Sequence, residues 1–477
     1  MSPVSQQIQH RQRGADTMQS IDITRIIDEQ KVRRFNVQLI VVSFLLCLVD
    51  GYDFAAISYA APGILKAWAI SNPAALAPVF SASLVGILIG SPLFGLVGDY
   101  FGRKKITVVS CLICGGFTWA SVYGNTLEQL LLLRFLSGLG MGGLLPNTIA
   151  LNAEYAPRRI RALLVVIMFT GTPLGAAVPG AISAWLMPTY GWTILFSIGG
   201  AVSLAIAVIS AVWLPESVKY LALKPGRRAE TLALVQTLQP GLVVEPDARF
   251  TISDEKQYSG ISPKYLFMDG MALATPLLWL LFILNMMGYF FILSWTPTLL
   301  ASARVSIAYA AIATSMFQLG GIVGSLCMAR PMDKMGMLPL VILFAVTGPI
   351  VGCIGFVGGY SIPVLLGIMF CAGFGVLGLQ ISLNVTAALI YPTSLRANGS
   401  GWAQGIGRVG SIMGPLIGGI LIASHVPVEQ LYLWSTLPFV IGAIACFALM
   451  RLLEDRDSKA RPIALATTAP IEGAGAT

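Results

Sequence analysis

Gly95-Leu96-Val97-Gly98-Asp99-Tyr100-Phe101-Gly102-Arg103-Lys104 lies between two long apolar runs. Its glycines permit a tight turn and close helix approach. Asp99 is placed to accept hydrogen bonds near a helix end, and Arg103 to pair with an acid or a helix C-terminus. A shorter form returns as Asp333-Lys334-Met335-Gly336, so Asp99 and Gly102 recur at an offset of 234, with Ala329 where the first copy has Gly95. Two further sets recur at an offset of 235: Gly138 and Gly140 as Gly373 and Gly375, and Pro157, Arg161 and Ala162 as Pro392, Arg396 and Ala397. Matches in separate turns and spans at nearly one offset mark a duplicated unit. Contacts at such a turn that form in one rigid-body state and break in another make a gate, so Asp99, Gly102, Arg103, Asp333 and Gly336 are the gating candidates.

Outward from that turn, apolar runs predict spans near 38–62, 77–98, 106–123, 129–151, 162–185, 192–214, 273–300, 308–329, 338–358, 361–388, 399–424 and 431–450. Each is long enough for a membrane helix, which needs about 20 residues. The expected fold is an all-α polytopic membrane protein with 12 transmembrane helices in two six-helix bundles. Six spans separate equivalent elements, so the repeat is parallel and its axis runs along the membrane normal, with a path between the halves. The expected division is a segment 1–37, a first bundle 38–214, a central loop 215–272, a second bundle 273–450 and a tail 451–477. The tail after Asp457, rich in Ala, Pro and Thr, is expected to be disordered, and 232–244 to form short surface helices.

Of the 477 residues, 56% are hydrophobic and only 11% charged, which excludes a soluble enzyme, a disordered chain and a coiled coil. The runs are too long and too continuous for barrel strands. Of the 30 Lys and Arg, 26 fall on the face that carries both termini, which predicts cytoplasmic termini. The net charge of +8 is thus explained by topology and contact with anionic membrane lipids, and no nucleic-acid partner is expected. The seven cysteines sit in apolar runs and read as packing residues; no metal, cofactor or catalytic residue is expected.

Few charges remain inside the spans. Span 1 carries Asp50-Gly51-Tyr52-Asp53, with two carboxylates three apart on one helix face. Burying a charge in hydrocarbon is costly without a cavity or a partner. Two neighbouring anions also raise each other's proton affinity, so Asp50 and Asp53 are proton-coupling candidates, the proton being the coupling ion. The alternative is a purely structural pair. Arg134 in span 4 and Arg408 in the cytoplasmic third of span 11 suit a carboxylate ligand, and Arg134 suits equally a pairing with Asp50 or Asp53. The predicted spans of the second half contain no Asp or Glu. There Asn285, Tyr289, Gln318, Gln380 and Asn384 are the substrate-binding candidates, since amides take a ring hydroxyl and aromatic faces hold a planar ring.

The turn motifs, together with Arg134 followed by Gly138, Gly140 and Gly142, and with Pro215-Glu216-Ser217 after span 6, resemble the major facilitator superfamily over roughly residues 38–450. Within it, Asp50-Gly51-Tyr52-Asp53, followed by Ala55, Ala56, Ile57 and Ala61-Pro62, is similar to the D-G-x-D signature of the aromatic acid:proton symporter family. The resemblance implies a secondary transporter, not an enzyme. It implies import of benzoate, a hydroxybenzoate, protocatechuate or a similar small aromatic carboxylate with protons, across the bacterial inner membrane and by alternating access. It matches Asp50 and Asp53 to the signature's functional acids and gives Asp99, Gly102 and Arg103 roles in the gating turn. A monomer is expected to suffice. A nonaromatic organic acid or a sugar-like metabolite is the alternative solute.

Overall fold

The computed structural model describes residues 20–30, 34–157, 159–223, 227–239, 249–251, 263–268, 271–359, 361–391 and 395–467. Twelve helices among them are long and apolar enough to cross a membrane. The first six are Arg34–Ala67, Pro73–Phe101, Arg103–Tyr123, Leu127–Tyr155, Leu163–Trp185 and Thr193–Trp213. The second six are Ala274–Ser302, Ile307–Met332, Leu338–Phe356, Ile362–Ile390, Asn398–Ala423 and Val428–Glu454. They are called spans 1 to 12 below. The face where span 1 begins and span 12 ends is the terminal face, and the opposite one the far face.

Several boundaries differ from the sequence reading. The last turn of span 2 takes in Asp99 and Phe101, and Gly102 caps it with φ 103, a left-handed conformation that suits glycine. The helix of span 8 likewise continues through Asp333 to Met335 and ends at Gly336, φ 60. Span 5 is broken at Thr170, between helices Arg161–Phe169 and Gly171–Trp185. Pro173 follows the break and has no N–H to give back to the preceding turn. Residues 468–477 lie outside the described residues, and the disorder expected after Asp457 is corrected as far as Thr467, since the final helix runs from Leu437 to Thr467. Its sequence after 450 is rich in helix formers, and Arg451 bonds Glu454 at 3.3 Å.

Residues before span 1 also take structure. Ser20–Asp22 pairs in parallel with Arg249–Thr251 of the central loop. Asp22 caps the helix Ile23–Glu29, which buries Ile23, Ile26 and Ile27 on one face. The loop itself carries helices Val218–Leu223 and Arg228–Leu238. Gln30 donates to the Tyr155 carbonyl at 2.7 Å and Phe35 meets the Tyr155 ring edge-on at 5.2 Å. The chain before span 1 is therefore fastened to the terminal-face end of span 4.

Backbone proximity sets the packing of span 1 on span 5. A Cβ at Gly51 would overlap the Thr172 carbonyl, and one at Gly175 the Leu48 carbonyl. Small residues let the two backbones touch, which is how helices associate where no hydrophobic drive exists between them. The bundles meet toward the far face. Ser315 Oγ of span 8 donates to the Ala177 carbonyl of span 5 at 2.8 Å, and Ser81 Oγ of span 2 to the Ile412 carbonyl of span 11 at 3.2 Å. Phe80 of span 2 packs edge-on against Trp295 of span 7 at 5.0 Å.

Gly175→Val drives a branched side chain into backbone and is expected to cost at least about 1–3 kcal/mol. Gly367→Ala, at a helical glycine with nothing near its missing Cβ, is expected to be neutral or slightly stabilising. Thermal unfolding of the detergent-purified variants, read by size-exclusion chromatography, measures both.

Candidate functional site

Span 1 delivers its two carboxylates to different places because of what flanks them. Gly51 presses on span 5, and Tyr52 between them packs over Gly199 and donates its hydroxyl to the Leu195 carbonyl of span 6 at 2.8 Å. With the helix held on both sides, Asp53 points into the first bundle. Its Oδ1 lies 3.1 Å from Nη1 of Arg134, whose side chain is 0% exposed. Ser137 Oγ donates to Asp53 Oδ2 at 2.6 Å, and Thr118 Oγ1 also donates to Asp53. Arg134 Nη2 in turn reaches Thr118 Oγ1 at 3.1 Å and Ser121 Oγ at 3.0 Å. Its guanidinium lies 4.8 Å from the centre of the Phe196 ring. Spans 1, 3, 4 and 6 thus enclose an ion pair inside a cage of hydroxyls.

Asp50 is buried too, and the cation whose field acts on it is the guanidinium of Arg408, in the other half. Arg408 sits near the middle of the helix Arg396–Ala423, deeper than the cytoplasmic third expected from sequence. Tyr289 of span 7 also lies within the field of Asp50. The two acids therefore have different surroundings: Asp53 is enclosed by an ion pair and hydroxyls within its bundle, and Asp50 lies within the field of Arg408 of the other half.

The second-half candidates assemble in two linked groups. Asn285 Nδ2 donates to Gln380 Oε1 at 2.9 Å, joining spans 7 and 10. Gln318 Nε2 of span 8 donates to the Tyr289 hydroxyl at 3.1 Å. Asn285 and Tyr289 are one turn apart on span 7, and Gln380 and Asn384 one turn apart on span 10. Aromatic rings border the groups: Tyr289 stacks on Phe317 at 6.0 Å, and Phe290 meets Phe54 of span 1 at 5.7 Å across the boundary.

At the terminal face the first copy of the turn forms a network with Glu216 and Ser217 of the motif after span 6, and with Glu154 and Tyr155, which the sequence did not single out. Arg103 bonds Asp99 at 3.1 Å and approaches Glu154, at the end of span 4, at 3.4 Å. Glu154 Oε2 accepts from Ser217 Oγ at 2.6 Å. Glu216 Oε1 accepts from the backbone N–H of Lys104 at 3.1 Å, and Tyr155 donates its hydroxyl to the Glu216 carbonyl. Pro215-Glu216-Ser217 is thus the other side of the Gly102 turn: a Cβ at Gly102 would reach Glu216 at 2.5 Å. In the second copy Gly336 stands in open space, and the Asp333 side chain lies outside the described residues.

Comparison with known proteins follows from this geometry. The family model of the Major Facilitator Superfamily matches residues 43–415 and 278–473. The chain belongs to that superfamily. It is 34% identical to the 4-hydroxybenzoate transporter PcaK of Acinetobacter baylyi, over 90% of this chain and 94% of that protein. It is 33% identical to a gallate transporter of Pseudomonas putida, over 90% and 95%, and 30% identical to a benzoate transport protein of Acinetobacter baylyi, over 91% and 93%. The fold is that of the bacterial homologue of the human lysosomal transporter Spinster, in its inward-facing, unoccupied conformation: TM-score 0.68 at 13% identity, over 89% of this chain and 99% of that one. The chain is accordingly a multi-pass membrane transporter of the superfamily's aromatic-acid branch, and not an enzyme.

The cage gives a prediction for stability. Arg134→Gln strips the cation from a buried carboxylate and is expected to cost about 3–5 kcal/mol. Adding Asp53→Asn removes the stranded charge and is expected to restore part of that loss, so the double variant unfolds at a higher temperature than Arg134→Gln alone.

Proposed function

We propose that the chain imports a small aromatic carboxylate together with protons across the bacterial inner membrane, with both termini in the cytoplasm. Benzoate, a hydroxybenzoate, protocatechuate or a close analogue is the solute. The relatives' substrates and the 26 basic residues of the terminal face support this reading. The observation that carries the mechanism is the buried carboxylate of Asp50 in span 1 lying within the field of Arg408 in span 11, across the boundary between the bundles.

Coupling follows from charge balance. In the empty site Arg408 and Asp50 neutralise each other. An incoming carboxylate offers Arg408 two oxygens and displaces Asp50 from it. The site then holds two anions and one cation in a medium of low dielectric, unless Asp50 takes up a proton. Substrate and proton together leave the net charge of the site unchanged, so the loaded site can move between the two sides as the empty one does. Asp53, with Arg134 and two hydroxyls around it, is the fixed anion that holds this part of span 1 in place.

Alternating access then consists of the two bundles rocking about this site. The bundles contact one another toward the far face, which supports an inward-open arrangement. The Asp99–Arg103–Glu154–Glu216 network keeps the turn after span 2, the end of span 4 and the start of the loop moving as one body.

Uptake of radiolabelled 4-hydroxybenzoate into proteoliposomes tests the coupling. Accumulation is expected only with an inward-directed proton gradient, and a gradient-independent accumulation refutes coupling. Asp50→Asn is expected to lower gradient-driven accumulation by about a hundredfold while sparing exchange of preloaded substrate. Retention of accumulation by that variant removes Asp50 from the mechanism.

A further inference from the structure

The aromatic-acid reading assigns one end of the solute, the carboxylate, to Arg408. The structure also contains a candidate for the other end. Asn285 is 1% exposed, in the middle of span 7. Its amide N–H donates to Gln380, and its carbonyl Oδ1, also buried, receives no hydrogen bond among the described residues. Oδ1 of Asn384, one turn along span 10 from Gln380, is buried and unpaired as well. Two amide carbonyls without donors are a poor arrangement for structural glue, since buried polar groups in a bundle core normally find partners.

Both lack the same thing, which is a donor. A substrate carboxylate cannot supply one, because it only accepts. A bare benzene ring cannot either. A ring hydroxyl can. The position also fits: Asn285 lies one helical turn, about 5.4 Å, from Tyr289, the residue of span 7 beside Asp50. In the inferred pose the carboxylate lies at Arg408 and the opposite edge of the ring toward Asn285. Tyr289, Phe290 and Phe54, in edge and tilted contact with one another, supply the aromatic surface at the boundary.

We propose that the Asn285 carbonyl, seconded by that of Asn384, is the specificity determinant of the transporter, and that it selects ring-hydroxylated aromatic acids over unsubstituted ones. The proposal rests on the aromatic-acid reading above. Gln380 is the positioning residue: by accepting the Asn285 N–H it turns the carbonyl outward to the solute. The selection acts through loss, since a solute without a donor leaves the carbonyls unpaired while it occupies the site.

The test compares uptake of 4-hydroxybenzoate, benzoate and 4-methoxybenzoate, the last similar in size to the first but lacking the donor. The wild-type chain in proteoliposomes is expected to take up 4-hydroxybenzoate with kcat/KM at least ~10-fold above both others. Asn285→Leu is expected to shrink that gap to about twofold, by lowering uptake of the hydroxy acid and not of benzoate. Equal handling of the three by the wild type overturns the inference and leaves the proposed function standing. So does a gap that survives Asn285→Leu. If none of the three is transported or competes, the aromatic-acid reading fails, and the inference fails with it. Should Asn285→Leu not fold, Asn384→Leu and the wild-type comparison of the hydroxy and methoxy acids decide.

Discussion

A carboxylate in the middle of a membrane-spanning bundle is stable only where a cation or hydrogen-bond donors meet it, and span 1 holds two of them within one turn. Much of the site is arranged around that constraint. Asp53 is met by Arg134 and by hydroxyls from two other spans, so its charge ties spans 1, 3 and 4 together. Asp50 lies one turn nearer the terminal face, within the field of Arg408 across the boundary. The same physical need therefore produces a hydrogen-bonded ion pair in one case and a looser electrostatic relation in the other. The proposed mechanism uses both: a rigid half to move, and one cation that solute can take over.

The two halves differ in the chemistry they carry. The first carries the acids and the hydroxyl cage, and its terminal-face turn is bound by Glu154 and Glu216. The second supplies Arg408, amides and aromatic rings. An amide keeps its charge state whatever the solute does, so the second half can read shape and hydrogen-bonding pattern without itself taking up protons. A carboxylate there would add a further anion to be neutralised.

The fold was legible because hydropathy and a repeated turn both act over long stretches. Twelve apolar runs and an offset of 234 or 235 leave little choice of architecture. What the sequence concealed depends on three-dimensional neighbours. Spacing put Asp50 and Asp53 on one helix face, which is correct for an isolated helix. Gly51 and Tyr52, by fixing how that helix sits against spans 5 and 6, send the two acids to different partners. Thr118, Ser121 and Ser137 were invisible, since serine and threonine are common in membrane helices and become informative only where they converge. Glu216 belonged to a recognised motif, but nothing in one dimension joined it to Lys104, 112 residues earlier. Composition after Asp457 suggested disorder, yet the final helix runs on to Thr467, with Arg451 and Glu454 paired on its surface.

The terminal-face network and the central pair are distinct devices, and keeping them apart has a physical advantage. The Asp99–Arg103 pair is near water, where an ion pair is worth little and is easily remade. Asp50, within the field of Arg408, is enclosed, where losing a compensating charge is expensive. A transporter that placed its energetic decision at the water-exposed turn would discriminate poorly between loaded and empty states, because solvent would replace any broken contact at small cost. In the proposed mechanism the decision lies at the buried site, so only a ligand able to replace Asp50 as the anion beside Arg408, with a proton to balance the charge, leaves the site as stable as before. The turn then needs only to hold its own bundle together while that condition is met.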